Sequence, residues 1–209
     1  MFEQTDTPKE KIYYDQRSVT LRTTQSLYFV QEHDKTILLG LLLNEHKEKQ
    51  IVIVVKSKKK ADALSEFLIS KEFKALAVHG NHREVQQKEA GTAFNLGTLN
   101  IIITTNMILK TLELENIKLL VSYDLPETPV DYYTHLASMK ELGEAFALVS
   151  PEDEPLLGDI EFNMKKEIEE KILEEFVPSS APSNKGKAKK DRQKKPRHRK
   201  VKARKEKEA

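Results

Sequence analysis

IVIVVKSKKKADALSEFL, residues 51–68, opens on five consecutive β-branched apolar residues and then changes period. A run that is apolar at every position, rather than at alternate ones, marks a strand buried on both faces. Ser57 can cap a helix starting at Lys58, because a serine side chain accepts from the free N–H groups of a first helical turn. Beyond it, Ala61, Leu64, Phe67 and Leu68 fall on one face of that helix. A strand hidden on both faces and succeeded at once by an amphipathic helix is the unit from which parallel sheets are built.

The same alternation extends in both directions. Upstream, residues 25–31 form a strand and residues 34–47 a helix with Ile37, Leu38, Leu41 and Leu42 inward. Downstream come the strand KALAV (74–78), a helix over 83–96 stopped by Gly97, and the strand LNIII (99–103). A short helix near 107–112 leads to the strand IKLLVSY (117–123). Pro129 can open the next helix as its first residue, and EAFALVS (144–150) is a last strand. The fold expected is α/β: a doubly wound parallel sheet with flanking helices over residues 25–150. Residues 1–24 have no clear period and read as an arm. Residues 151–177 are expected to be an acidic amphipathic helix, with Leu157, Ile160, Met164, Ile168, Ile172 and Phe176 near helical spacing over 156–176. Residues 178–209 read as a linker and a basic tail.

Composition narrows the function. The 209 residues contain no cysteine, which excludes disulfides, thiolate metal sites and cysteine nucleophiles. His79 and His82 have HxxH spacing but no third ligand in view, so a metal centre is not expected. No G-x-S-x-G elbow occurs. The start of the chain lacks a secretory apolar region, and the apolar run ILLGLLL (37–43) is far short of the roughly 20 residues that span a bilayer. A soluble, cytoplasmic protein without membrane contact is the expectation. The net charge of +2 conceals an asymmetry: residues 185–209 hold 14 Lys/Arg against 3 Asp/Glu, leaving 21 bases and 30 acids in the rest. Such a tail cannot bury a core and is expected to be disordered until bound. Its cations, among them Lys189, Lys190, Arg192, Arg197 and Arg199, come without stacking aromatics and suit contact with phosphate rather than bases.

The order of these elements, with the residues at their ends, resembles the second RecA-like domain of DEAD-box RNA helicases over roughly residues 20–165. TLRTTQSLYFV (20–30) looks like the family's entry segment, and residues 51–68 like its fourth motif. ALAVHG (75–80) is similar to the strand ending in His-Gly. NIIITTNMILKTLEL (100–114) resembles the fifth motif and LLVSYDLPETPVDYYTHL (119–136) the stretch leading into the sixth. The resemblance implies an RNA-binding set of Ser57, Lys58, His79, Gly80, Thr104 and Thr105, with Thr105 on the RNA backbone. It also implies a vestigial nucleotide-binding set of Asn106, Lys110, Glu113 and His135. Where Thr104 and Thr105 are concerned, a strand end that merely caps the next helix is the plainer alternative.

Departures from the family pattern are concentrated on the ATP side. Its fifth motif carries Arg-Gly-x-Asp where this chain has Lys110-Thr111-Leu112-Glu113, and its sixth has three arginines where this chain has Leu136, Met139 and Leu142. Gln87 aligns with a further family arginine. The sequence contains neither G-x-x-x-x-G-K-[ST] nor Asp-Glu-x-Asp, so it has no phosphate cradle and no Mg²⁺-binding acid pair of its own. An arginine finger is worth on the order of 10³-fold or more in phosphoryl transfer. No cofactor is therefore expected for this chain alone, and ATP with Mg²⁺ only if a partner domain completes the site. Three functions are compatible with these residues, in order of preference: an accessory RNA-binding module in RNA metabolism or ribosome assembly, with ribosomal or RNA-processing partners; half of a split helicase joined to a separate RecA-like domain; and an adaptor that docks a partner on the apolar face of 156–176.

Overall fold

The computed structural model describes residue 19, residues 23–140 and residues 142–179. The tail cations and most of the N-terminal arm lie outside the described residues. β1 (Thr23–Phe29), β2 (Ile51–Val55), β3 (Ala75–Val78), β4 (Ile101–Thr105), β5 (Leu119–Ser122), β6 (Gly143–Val149) and β7 (Glu169–Glu170) form one sheet in the order β3-β4-β2-β5-β6-β1-β7. Every pairing is parallel, so all carboxyl ends lie on one edge. β2 sits between β4 and β5 and is buried at all five positions, as its unbroken apolar run requires.

Alternate side chains of each strand divide between two cores. Ile51, Ile53 and Val55 join Leu38, Leu39, Leu42 and Leu43 of α1 (Lys35–Asn44) and Ala61, Leu64 and Leu68 of α2 (Lys58–Ser70). Val52 and Val54 join Phe94 of α3 (Glu84–Asn95), Ile108 of α4 (Asn106–Leu109), Tyr132 and Leu136 of α5 (Pro129–Ala137) and Leu157 and Ile160 of α6 (Glu154–Met164). Helices thus cover both faces, which is the doubly wound arrangement. Ser57 caps α2 by accepting from Lys60 N at 3.2 Å, and Pro129 is the first residue of α5. Gly97, at φ +73°, takes the left-handed conformation that ends α3.

Two expectations need correction. In α1 the buried stripe is Leu38, Leu39, Leu42 and Leu43, while Ile37 is 53 % exposed. Six apolar residues interrupted only by Gly40 offer two equivalent stripes, and the choice is made by tertiary packing. Gly40 contributes to it, since a Cβ there would stand 3.3 Å from the Phe67 ring. The acidic helix expected over 156–176 ends at Met164. Lys165 turns left-handed at φ +52°, and the chain reverses to pair Glu169 and Glu170 with Ser26 and Leu27. Ending the helix there satisfies the open edge of β1, with Lys171 N donating to Leu27 O at 2.8 Å, and buries Ile168. Leu173 and Phe176 pack on the α1–α2 side. The continuous apolar face required of an adaptor helix does not exist.

The C-terminal segment does not end in a free linker at 178. Ser179 donates its Oγ–H and its N–H to the two oxygens of buried Asp34, at 2.6 and 3.0 Å. At the other end, β1 begins two residues before the expected strand, and Val19 is already buried in the core.

Candidate nucleic-acid interface

The carboxyl edge of the sheet collects the ends of β2, β3 and β4. Ser57 leads into α2, whose first turn holds Lys58, Lys59 and Lys60 and no acid. Cations at a helix N-terminus oppose the macrodipole, at a cost of about 0.3–1 kcal/mol each. The arrangement makes physical sense when an anion approaches the same N–H groups. Lys58 Nζ donates to Asn81 Oδ1 at 2.6 Å and lies 3.7 Å from where a Gly80 Cβ would stand, so Gly80 leaves room for the lysine. Thr105 is partly exposed beside them. It occupies the N-cap position of α4 without a side-chain cap, so its hydroxyl is not consumed by helix capping.

Two residues of the expected RNA set point elsewhere. His79 is buried: its Nε2 pairs with Asp62 Oδ1 at 2.8 Å, its Nδ1 accepts from Asn81 N at 3.4 Å, and its own N–H goes to His82 Nδ1 at 3.1 Å. The ring braces the turn that presents Gly80 and Asn81 and cannot itself meet a ligand. Thr104 lies on the core side of β4, fully buried, and its Oγ1 has no hydrogen-bond partner. Strand alternation puts Thr104 and Thr105 on opposite faces, so one threonine of the pair remains at the edge. Among the described residues, no group of three potential ligands could hold a metal ion.

Of the residues expected to form a vestigial nucleotide set, Asn106 and His135 bond to each other and Lys110 is held by Asp131. Lys110 Nζ meets Asp131 Oδ1 at 2.9 Å, and Thr128 Oγ1 donates to Asp131 Oδ2 at 3.0 Å. Lys110, with Asn106 and Thr128 beside it, lowers the Asp131 carboxyl to about 2. Asn106 Oδ1 lies 2.9 Å from His135 Nε2. His135 is 1 % exposed, and burial drives its pKa down to about 4, so the neutral ring donates from Nε2 to the Asn106 oxygen. Glu113 is exposed at the rim of the neighbouring cleft. Met139, at the position of a family arginine, is 0 % exposed and packs in the core. At the described positions where the family presents cations to a triphosphate, Lys110 is already paired and Met139 carries no charge.

A second polar cluster on this edge went unrecognised in the sequence. Lys35 is completely buried, with Nζ at 2.9 Å from Asp153 Oδ2 and 3.1 Å from Glu32 Oε2. Lys60 bridges Glu32 and Asp124, both at 2.7 Å, and Asp124 also accepts from Lys56 N at 2.8 Å. Burial opposes the Lys60 charge, but the hydrogen bonds to Asp124 and Glu32 outweigh it and raise the pKa. Asp124 stands in the Tyr-Asp-Leu-Pro stretch and was visible as a motif residue. Lys35 borders an apolar helix, and nothing local marks it as buried.

A model of the helicase conserved C-terminal domain matches residues 33–137, half of the chain. The chain belongs to that family. Its curated relatives include two ATP-dependent RNA helicases of Vanderwaltozyma polyspora, SUB2-2 and SUB2-1, each 32 % identical over 183 residues. The match takes in 85 % of this chain but 41 % of either relative, so the chain spans about two fifths of their length. Among solved structures, the Escherichia coli DEAD-box protein SrmB bound to regulator of ribonuclease activity A superposes with a TM-score of 0.71 at 20 % identity, over 77 % of this chain and 98 % of that one. A DEAD-box protein of Methanococcus jannaschii gives 0.69 at 24 %, over 74 % and 43 %. Saccharomyces cerevisiae Dbp5 bound to RNA and ADP BeF3 gives 0.65 at 22 %, over 70 % and 41 %. The fold of this helicase C-terminal domain is the RecA-like fold of DEAD-box C-terminal domains. No helix among its described residues is long and apolar enough to cross a membrane.

Proposed function

We propose that this helicase C-terminal domain is an RNA-binding accessory of RNA metabolism or ribosome assembly that does not hydrolyse ATP on its own. One contrast carries the reading: on the exposed carboxyl edge the Lys58 cation is held only by the neutral Asn81 side chain and the Thr105 hydroxyl is not spent on a cap, whereas Lys110 is ion-paired to Asp131 and Asn106 and His135 bond to each other. That edge offers phosphate contacts through the α2 N–H groups, the lysines and the Thr105 hydroxyl. Base edges have no comparable partner there, so sequence preference is slight. Lys189, Lys190, Arg192, Arg197 and Arg199 of the tail supply further phosphate contacts.

The test is a salt titration against one unstructured single-stranded RNA, comparing the full chain with a form ending at Ser179. If about six tail cations meet phosphates, log K for the full chain falls with log salt at a slope near −4, taking roughly 0.7 per contact. The shortened form has a flatter slope and unchanged thermal stability. Coincident slopes would remove the tail from the reading. RNA-stimulated ATPase of the purified chain stays at background.

The rival reading, a half-helicase completed by a separate RecA-like domain, draws support from the match to ATP-dependent RNA helicases. The buried Met139 and the pairing of Lys110 weigh against it. Mixing the chain with a partner that supplies the missing phosphate-binding motifs distinguishes the two, because only the half-helicase gains ATP turnover.

A further inference from the structure

Next to the paired Lys110 lies a cleft of about 660 Å³ between residues 109–115 and α5. Its lining is mainly apolar: Leu109, Leu112, Leu114, Val130, Tyr133 and Ala137. The charges around it are matched, Lys110 with Asp131 at 2.9 Å and Lys140 with Glu115 at 3.5 Å, while exposed Glu113 adds a negative charge. A polyanion has little to gain here. An apolar or aromatic segment gains more, since Val130 is 64 % exposed on the same wall.

Val19 forms part of that wall. It is buried in the core and fixed by Thr23 Oγ1, which donates to Val19 O at 3.0 Å. The residues that precede it therefore start at the cleft, and they read Lys11-Ile12-Tyr13-Tyr14-Asp15-Gln16-Arg17-Ser18. Ile12, Tyr13 and Tyr14 stand five to seven residues upstream, a reach of roughly 16–25 Å at about 3.3–3.6 Å per residue. That is ample to cross a cavity of this size. Tyrosine suits it, because an apolar ring can meet the leucines while its hydroxyl stays at the polar rim. Arg17 and Lys11 carry the charge opposite to Glu113. A tether this short holds the segment at an effective concentration in the millimolar range, which makes modest contacts sufficient.

We propose that the segment of residues 11–18 docks in this cleft, seating Ile12, Tyr13 and Tyr14 against Leu112, Val130 and Tyr133, beside the Lys110–Asp131 pair. The test uses the full chain with Tyr13 replaced by photoreactive benzoylphenylalanine, irradiated over a range of protein concentrations. Crosslinks within one chain to residues 109–115 or 130–140, in a yield independent of concentration, are expected. Crosslinks that grow with concentration would identify a second copy as the occupant and overturn the proposal, as would crosslinks confined to other sites or none. Hydrogen exchange of the full chain carrying Ile12→Ser, Tyr13→Ser and Tyr14→Ser supplies a second measurement. Exchange is expected to quicken on the order of tenfold in residues 107–115 and α5 while β2 and β4 keep their protection. Identical exchange in parent and variant would sink the idea.

Discussion

Replacing Lys35 with methionine removes a cation that no water reaches and leaves Asp153 with less than it needs. Removing one partner of a buried pair usually costs about 3–5 kcal/mol, because the other charge is left uncompensated. Here the figure belongs near the lower end. Asp153 keeps hydrogen bonds from Ser150 Oγ at 2.7 Å and Ser150 N at 3.3 Å, with Lys56 Nζ 3.8 Å away, while Glu32 keeps Lys60. A loss of about 3 kcal/mol corresponds to a fall in Tm of roughly 6–12 °C for a domain of this size. Burial raises the Asp153 pKa, but the hydrogen bonds from Lys35 and Ser150 prevail and hold the carboxyl below its ordinary value. Its stabilising contribution is therefore present above the ordinary carboxylate pKa near 3.8 and is lost as pH falls through the lower native value. Urea denaturation followed by circular dichroism at neutral pH measures the loss. The pairing supplies the sharper check: Asp153→Asn should destabilise the parent by more than it destabilises the Lys35→Met variant, where the carboxylate has already lost its buried partner. A loss below about 1 kcal/mol, or an Asp153→Asn penalty equal in both backgrounds, would refute the reasoning.

Three further outcomes are expected. His135 is held neutral with a pKa near 4 by burial, so its contribution is whole above the ordinary histidine value of 6.5 and drains away as pH falls toward 4. The difference is worth about 3 kcal/mol, and His135→Gln should flatten the urea midpoint against pH within that window. Met139→Arg should destabilise the fold and leave ATPase at background, because the site is sealed in the core and Met139 Sδ already stands 2.7 Å from where a Gly143 Cβ would be; calorimetry and a phosphate-release assay check both halves. Thr105→Val, measured on the form ending at Ser179, should weaken RNA binding by roughly 1.5–3 kcal/mol, the worth of one hydrogen bond to a charged phosphate, without shifting Tm. Unchanged affinity would make the strand end purely structural.

The features legible in the sequence were those governed by local rules. The all-apolar run of β2, the Ser57 cap, the Gly97 stop and Pro129 at the head of α5 each depend on a few neighbouring residues, and with them came the layer order. Features decided at long range stayed hidden. The inward stripe of α1 depends on what Gly40 and Phe67 do across two helices. The end of α6 at Lys165 has no glycine or proline to announce it and is compensated by the burial of Ile168 and by pairing with β1, well over a hundred residues away in sequence. In the candidate interface, Ser57, Lys58, Gly80 and Thr105 were recognisable from motif position. Sequence could not show that His79 and Thr104 point inward, nor that Lys110 and Asp131 close on each other from separate elements.

The Ser179 clasp bears on where the last thirty residues can act. Asp34 lies just beyond the carboxyl end of β1, so the two hydrogen bonds from Ser179 anchor the chain on the same rim of the sheet as Ser57 and Thr105. Everything beyond position 179 departs from that point. Asp34→Ala would remove both acceptors of the clasp without removing a single basic residue, and it would separate the value of charge from the value of where that charge is tied down.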